Sequence, residues 1–170
     1  MIFVTVGTHE QPFDRLVQYV DELKQKNIIK EDVVIQTGFS TYKPQYCDWS
    51  NLFSYQQMAE YVQNARIVIT HGGPSSFIAP LQKGKIPIVV PRKRQFDEHV
   101  NDHQVEFCRE VAKRQKNIIL VEDIENLKDI ILKYESVIGE MSEKVESNNA
   151  QFNKNLENLV QKLILESQER

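Results

Sequence analysis

Apolar residues in this chain fall into short runs separated by helical stripes. Ile2 to Val6 is a β-rich run that stops at Gly7-Thr8. Gln11 to Lys26 then sets Phe13, Leu16, Val17, Val20 and Leu23 on one helical face, with Pro12 where a first turn tolerates it. Asp32 to Gln36, built on Val33, Val34 and Ile35, predicts a second strand, and Thr37 to Trp49 reads as a loop with room for short extended pieces. Ser54 with Gln57 three residues on has the form of a capping box and opens a helix that ends near Asn64. Ile67 to Thr70 is a third strand, cut off by His71-Gly72-Gly73-Pro74. Ser75 or Ser76 is the expected cap of the next helix, through Phe77, Ile78 and Leu81. Ile86 to Val90 is a fourth strand. A basic loop from Pro91 to Phe96 leads to a helix expected from about Glu98 to Arg114. Ile118 to Val121 is a fifth strand, and Asp123 caps a helix through Leu127, Ile130, Ile131 and Leu132.

Strands alternating with helices predict an α/β fold, a Rossmann-like parallel sheet with helices on both faces. The unbroken apolar run at Ile86 to Val90 fits a strand buried on both sides. From Ile138 onward the pattern changes. Ile138, Met141, Val145, Phe152, Leu156, Leu159 and Leu163 recur at helical steps, with Asn149 interrupting the stripe. The expected organisation is therefore a domain over residues 1–135 and a long C-terminal amphipathic helix over 136–170. That helix either folds back on its domain, docks a partner or self-associates into a homo-oligomer.

Composition narrows the class. Hydrophobic residues make up 41% of the 170 and charged residues 26%, ordinary for a soluble globular chain. No apolar run approaches the roughly 20 residues that cross a bilayer, and no signal peptide is visible. Cys47 and Cys108 form no CxxC pair, which points to a reducing, cytoplasmic setting. The net charge is −3, yet Lys83 to Lys116 holds nine Lys or Arg against five acids. Such a stretch is either a solvated face or a surface for a phosphate-bearing ligand. Nothing points to nucleic acid.

In parallel sheets ligands bind where loops leave the carboxyl ends of strands. Three segments lie at such ends: Gly7-Thr8-His9, His71 to Ser76, and Arg92 to His103. Two glycines followed by a helix start with hydroxyls suit phosphate oxygens, although a tight strand-to-helix turn with no ligand has the same look. GxGxxG, GxxxxGK[ST] and GxSxG are all absent. His99 and His103 are expected on one helix face, but without HExxH they make a poor metal site. His9 follows the first strand and is placed either to take a proton near neutral pH or to shape its loop and touch phosphate.

Thr70-His71-Gly72-Gly73-Pro74-Ser75-Ser76, a strand ending in Val90-Pro91, and then Phe96-Asp97-Glu98-His99-Val100-Asn101-Asp102-His103-Gln104 together resemble the donor-binding half of a GT-B glycosyltransferase. Met1 to His9 resembles the start of a branch in which that half is its own short chain. The branch includes the cytosolic subunit of the eukaryotic transferase that adds the second GlcNAc to a dolichol-linked oligosaccharide. It also includes bacterial capsule and exopolysaccharide β-1,4-galactosyltransferase subunits. The likeness covers roughly residues 1–135. It implies an inverting enzyme that uses a UDP-sugar as donor substrate, with no cofactor and no metal. Gly7 and Thr8 would face the pyrophosphate, Phe53 and Ser54 the uracil, and Gly72, Gly73, Ser75 and Ser76 the diphosphate, with His71 also among the substrate-binding residues. Glu98 and His99 would hold the sugar hydroxyls, Asn101 is a further substrate-binding residue, and His9 and Glu98 are the catalytic candidates. Ile78 stands where a related transferase holds ribose with a glutamate. The resemblance further implies transfer of galactose, or of GlcNAc, to a lipid-linked saccharide. A membrane-anchored acceptor-binding subunit would keep the chain cytoplasmic but peripheral at the inner membrane face, with Arg92, Lys93 and Arg94 near anionic groups. A sugar-nucleotide-binding module without turnover, and an interaction protein whose loops bind nothing, are the other classes.

Overall fold

The computed structural model describes residues 1–142. Its strands are β1 (Ile2–Thr5), β2 (Val33–Gln36), β3 (Asp48–Ser50), β4 (Ile67–His71), β5 (Ile88–Val90) and β6 (Ile119–Leu120). Its helices are α1 (Asp14–Gln25), α2 (Tyr55–Asn64), α3 (Pro74–Gln82), α4 (His103–Gln115), α5 (Asn126–Leu132) and α6 (Tyr134–Ser142). All neighbouring strands are parallel, in the order β3-β2-β1-β4-β5-β6. The central strands read as unbroken apolar runs because helices cover both faces. On one face α1, α5 and α6 close over Ile2, Val4, Ile35, Ile67 and Ile69. On the other, α2 packs Val62 against Phe3 and Val68, while α3 and α4 pack Phe77 and Cys108 against Val89.

The loop between β2 and β3 is ordered by two carboxylates of α1. Asp21, wholly buried, accepts from Tyr42 Oη and from the backbone N–H groups of Gln45, Tyr46 and Cys47. Asp14 accepts from the Thr41 and Tyr42 N–H groups. Anchored in this way, the loop delivers β3 as an edge strand.

Several boundaries differ from the sequence pattern, each for a polar reason. The first helix begins at Asp14, because Phe13 at φ −129°, ψ 50° lies outside the helical range and the preceding Gln11 and Pro12 carbonyls turn to the Arg92 guanidinium. The fourth strand begins at Ile88, since Pro87 has no N–H for the ladder. The helix expected from Glu98 begins only at His103. Before it, Arg94–Phe96 form a 3₁₀ turn closed by Asp97 in the left-handed region at φ 56°, a conformation Asp tolerates better than most residues. His99 and His103 therefore share no helix face. Ser54 and Gln57 do make the reciprocal capping box.

The 135/136 boundary falls within α6, whose Tyr134, Val137, Ile138 and Met141 join the domain core. The stripe at Val145, Phe152, Leu156, Leu159 and Leu163, with Asn149, lies outside the described residues. No helix among the described residues is long and apolar enough to cross a membrane.

Candidate functional site

Strand order reverses between β1 and β4, since β2 and β3 lie to one side of this pair and β5 and β6 to the other. The loops leaving β1 and β4 therefore part and leave a crevice at the carboxyl edge. A cavity of about 670 Å³ opens there, between the start of α3 and the inner face of α2. Of the residues singled out from the sequence, Gly7, Thr8, His9, Phe53, His71, Ser75 and Ser76 line it, whereas Gly72 and Gly73 are not among its lining residues. Thr5, Gln36, Met58, Val62 and Lys83 also line it, and the sequence pattern did not single them out. A readable signal existed for the first two: each is a polar residue closing a strand that is otherwise apolar.

His71 organises the crevice. Its ring lies between two glycines, and a Cβ at either Gly7 or Gly73 would overlap it. Gly73 N–H donates to His71 Nδ1 at 3.0 Å, so Nδ1 carries no proton. The neutral ring then holds its hydrogen on Nε2, 2.6 Å from Ser76 Oγ. Ser76 accepts that bond and keeps its own hydroxyl hydrogen free for a ligand. Burial, with the charge of Arg92 behind it, pushes the His71 pKa down to about 4.

This depressed value links stability to pH. An unfolded chain would protonate His71 below about 6.5, whereas the folded ring stays neutral until about 4. The contribution is complete above the unfolded value and is lost as pH falls through this window. It amounts to about 3 kcal/mol. Urea midpoints compared at about pH 7 and pH 5 are expected to differ markedly for the parent chain, and by much less for His71→Gln.

The start of α3 differs from the pattern. Its N-cap is Gly73 and its first residue Pro74, so neither serine caps it. Gly72 N–H donates to Gln104 Oε1 at 3.1 Å, and Pro74 has no N–H. The first turn thus offers the Ser75 N–H and the two serine hydroxyls, rather than a row of open amides.

Arg92 carries the crevice from beneath. It is wholly buried and donates to the Val6, Gln11, Pro12 and Glu98 carbonyls, with its guanidinium 4.8 Å from the Phe13 ring centroid. It is a strut between the loops after β1 and β5, which corrects its expected place at an anionic surface. Burial lowers its pKa to about 10.

Glu98 also faces inward. Its oxygens accept from Arg15 at 2.8 and 2.9 Å and from the Lys93 N–H at 3.0 Å, and the residue is 2% exposed. These bonds tie the carboxylate to the fold, and Glu98 stands outside the cavity lining, away from the place expected of a sugar-binding or catalytic group. Asn101 caps its own loop, donating from N–H to His99 Nδ1 and accepting from the His103 N–H. His99 touches His9, with ring centroids 4.7 Å apart. His9 Nδ1 accepts from the Gln11 N–H at 3.1 Å, so its proton sits on Nε2. Burial, Arg92 and His99 together lower the His9 pKa. The ring therefore presents its Nε2–H to the cavity. Ser54 acts as the α2 cap and is not part of the lining.

With this geometry in view, likeness to known proteins is informative. The chain is 30% identical over 121 residues to the human UDP-N-acetylglucosamine transferase subunit ALG13, covering 66% of this chain and 10% of that protein. It is 32% identical over 120 residues to the mouse protein of the same name, covering 65% and 10%. The chain thus spans about a tenth of the length of these relatives. The crystal structure of the kitacinnamycin glycotransferase superposes with a TM-score of 0.54 at 15% identity, over 83% of this chain and 37% of that one, a likeness of fold. Residues 1–163 match the glycosyltransferase family 28 C-terminal domain, and the chain belongs to that family.

Proposed function

We propose that this chain is the donor-binding subunit of a UDP-hexose glycosyltransferase and works with a second subunit that holds the acceptor. The observation that carries the reading is the switch-point crevice, where the Gly7 turn, His71, Ser75 and the serine hydroxyls converge on one cavity. The diphosphate belongs at the start of α3, where these donors meet anionic oxygens. The acceptor hydroxyl oxygen attacks the anomeric carbon and the bond to the diphosphate oxygen breaks, so that UDP leaves with the electron pair and the configuration inverts. His9 Nε2–H stands ready to donate to an oxygen at the rim. The proton of the acceptor hydroxyl passes to a base on the other subunit, because the free side of His9 already carries hydrogen. No metal or cofactor is assigned to the step.

The hexose projects toward the rim formed by Thr8, His9 and His99. Galactose is the sugar of the capsule subunits that the motifs resemble. N-acetylglucosamine is the second reading, favoured by the named activity of the human and mouse relatives. A lipid-linked saccharide as acceptor and a membrane-anchored partner place the chain in the cytoplasm, peripheral to the inner membrane face. The apolar stripe beyond residue 142 is assigned to docking that partner.

Calorimetry with UDP in the presence of EDTA is expected to show binding by the chain alone. Transfer from UDP-galactose or UDP-N-acetylglucosamine should appear only when the second subunit is added, and should vanish when residues 143–170 are deleted while UDP binding persists. Absence of UDP binding would overturn the donor reading. Full transfer by the isolated chain would overturn the need for a partner.

A further inference from the structure

Three neighbouring strands set a polar row beneath the cavity. Gln36 of β2 lies opposite Thr5 of β1, and Thr5 lies opposite Thr70 of β4. None of the three is more than 4% exposed. Gly7 N–H donates to Thr5 Oγ1 at 3.2 Å, and the Thr5 hydroxyl donates onward to Gln36 Oε1 at 2.5 Å. This relay orients the carboxamide, with its oxygen held by Thr5 and its Nε2 turned away. Gln36 lines the cavity, and its Nε2 donates to no described residue. One strand further, Thr70 Oγ1 is buried with no partner among the described residues. An unpaired hydroxyl at such depth is costly, and such groups persist in native structures where a ligand or water meets them.

We infer that Gln36 reads the base of the bound nucleotide, its Nε2 donating to a ring carbonyl oxygen. The inference rests on the UDP-sugar reading above and adds a specificity residue to it. Phe53, Met58 and Val62 also line the cavity and pack in one cluster with Val34, which shares a strand face with Gln36, and apolar walls suit a flat, uncharged ring. A charged diphosphate in that position would lose its hydration to a neutral amide and hydrocarbon. The start of α3 meets it better.

The test titrates the full chain and its variants with uridine and with UDP, following chemical shifts and heat, with melting temperature as the check on folding. Gln36→Met keeps the length of the side chain and removes both N–H donors. It is expected to weaken uridine and UDP by the same factor, about 5–10-fold. Thr5→Val keeps the amide but frees it to turn, and should weaken both by less. Ser76→Ala should weaken UDP alone. If Gln36→Met fails to fold, Gln36→Glu takes its place, keeping the acceptor for Thr5. Unchanged affinity for both ligands in a folded Gln36 variant overturns the inference, as does a loss confined to UDP, which would put the amide on the diphosphate. A parent chain that binds neither ligand overturns the UDP-sugar reading itself.

Discussion

Gly73→Val is expected to reduce UDP affinity by about 100-fold or more while leaving the domain folded. The reason is the imidazole next to it. A Cβ at Gly73 would overlap the His71 ring and come within 2.9 Å of its Nδ1. The ring must then leave the slot between Gly7 and Gly73, and several features go with it. The bond from the Gly73 N–H is lost, Ser76 loses its orienting donor, and the turn that opens α3 is distorted. Two or more bonds to a charged diphosphate are each worth about 1.5–3 kcal/mol, which sets the size of the effect. Gly139→Ala is the matched control. Gly139 sits in α6, and a Cβ there meets nothing within 4 Å, so UDP affinity should stay unchanged. Calorimetry with near-ultraviolet circular dichroism decides the outcome. A folded Gly73→Val chain that binds UDP like its parent would remove the diphosphate from the start of α3.

The second large effect concerns stability. Arg15→Ala is expected to cost about 3–5 kcal/mol and to lower the melting temperature by roughly 10 °C. Arg15 and Glu98 pair with side chains only 15% and 3% exposed. Removing the cation leaves a buried carboxylate with the Lys93 N–H and the nearby Arg92 as its support. Glu98→Gln keeps the shape and leaves Arg15 partly solvated, so it should cost less, about 1–3 kcal/mol. Joint replacement by apolar residues, Arg15→Met with Glu98→Leu, should recover much of the loss, because neither charge is then buried alone. Urea unfolding of the parent and the three variants gives each loss of stability directly. A change below about 1 kcal/mol for Arg15→Ala would show that the pair is solvated in solution.

Much of the scaffold is legible from local pattern alone. The strands at Ile2, Val33, Ile67 and Ile88, the helices between them and the Ser54 capping box all follow from spacing that a few neighbouring residues settle. The convergence of the Gly7 and His71 loops also follows, because a parallel sheet brings the carboxyl ends of its strands to one edge. The loop after β5 defeats the same reasoning. Glu98-His99 and Asp102-His103 have helix-like spacing, yet Arg15 and Arg92, which are 83 and 6 residues from Glu98, draw its carboxylate and its carbonyl inward. A buried charge outweighs the weak helical preference of five loop residues.

The sequence by itself determined the alternation of elements, the class of the fold, the edge where the crevice opens and the glycine turn after β4. These depend on periodicity and on the conformational range of glycine and proline. Tertiary structure alone decided which polar groups are free. Gly72 and Gly73 lose their N–H groups to Gln104 and His71, His9 is left with its proton on Nε2, Glu98 is consumed by Arg15, and Gln36 keeps an open amide. Each of these outcomes depends on where a hydrogen-bond partner lies in space. A buried donor or acceptor takes the partner within about 3 Å of it, whatever the distance between them along the chain.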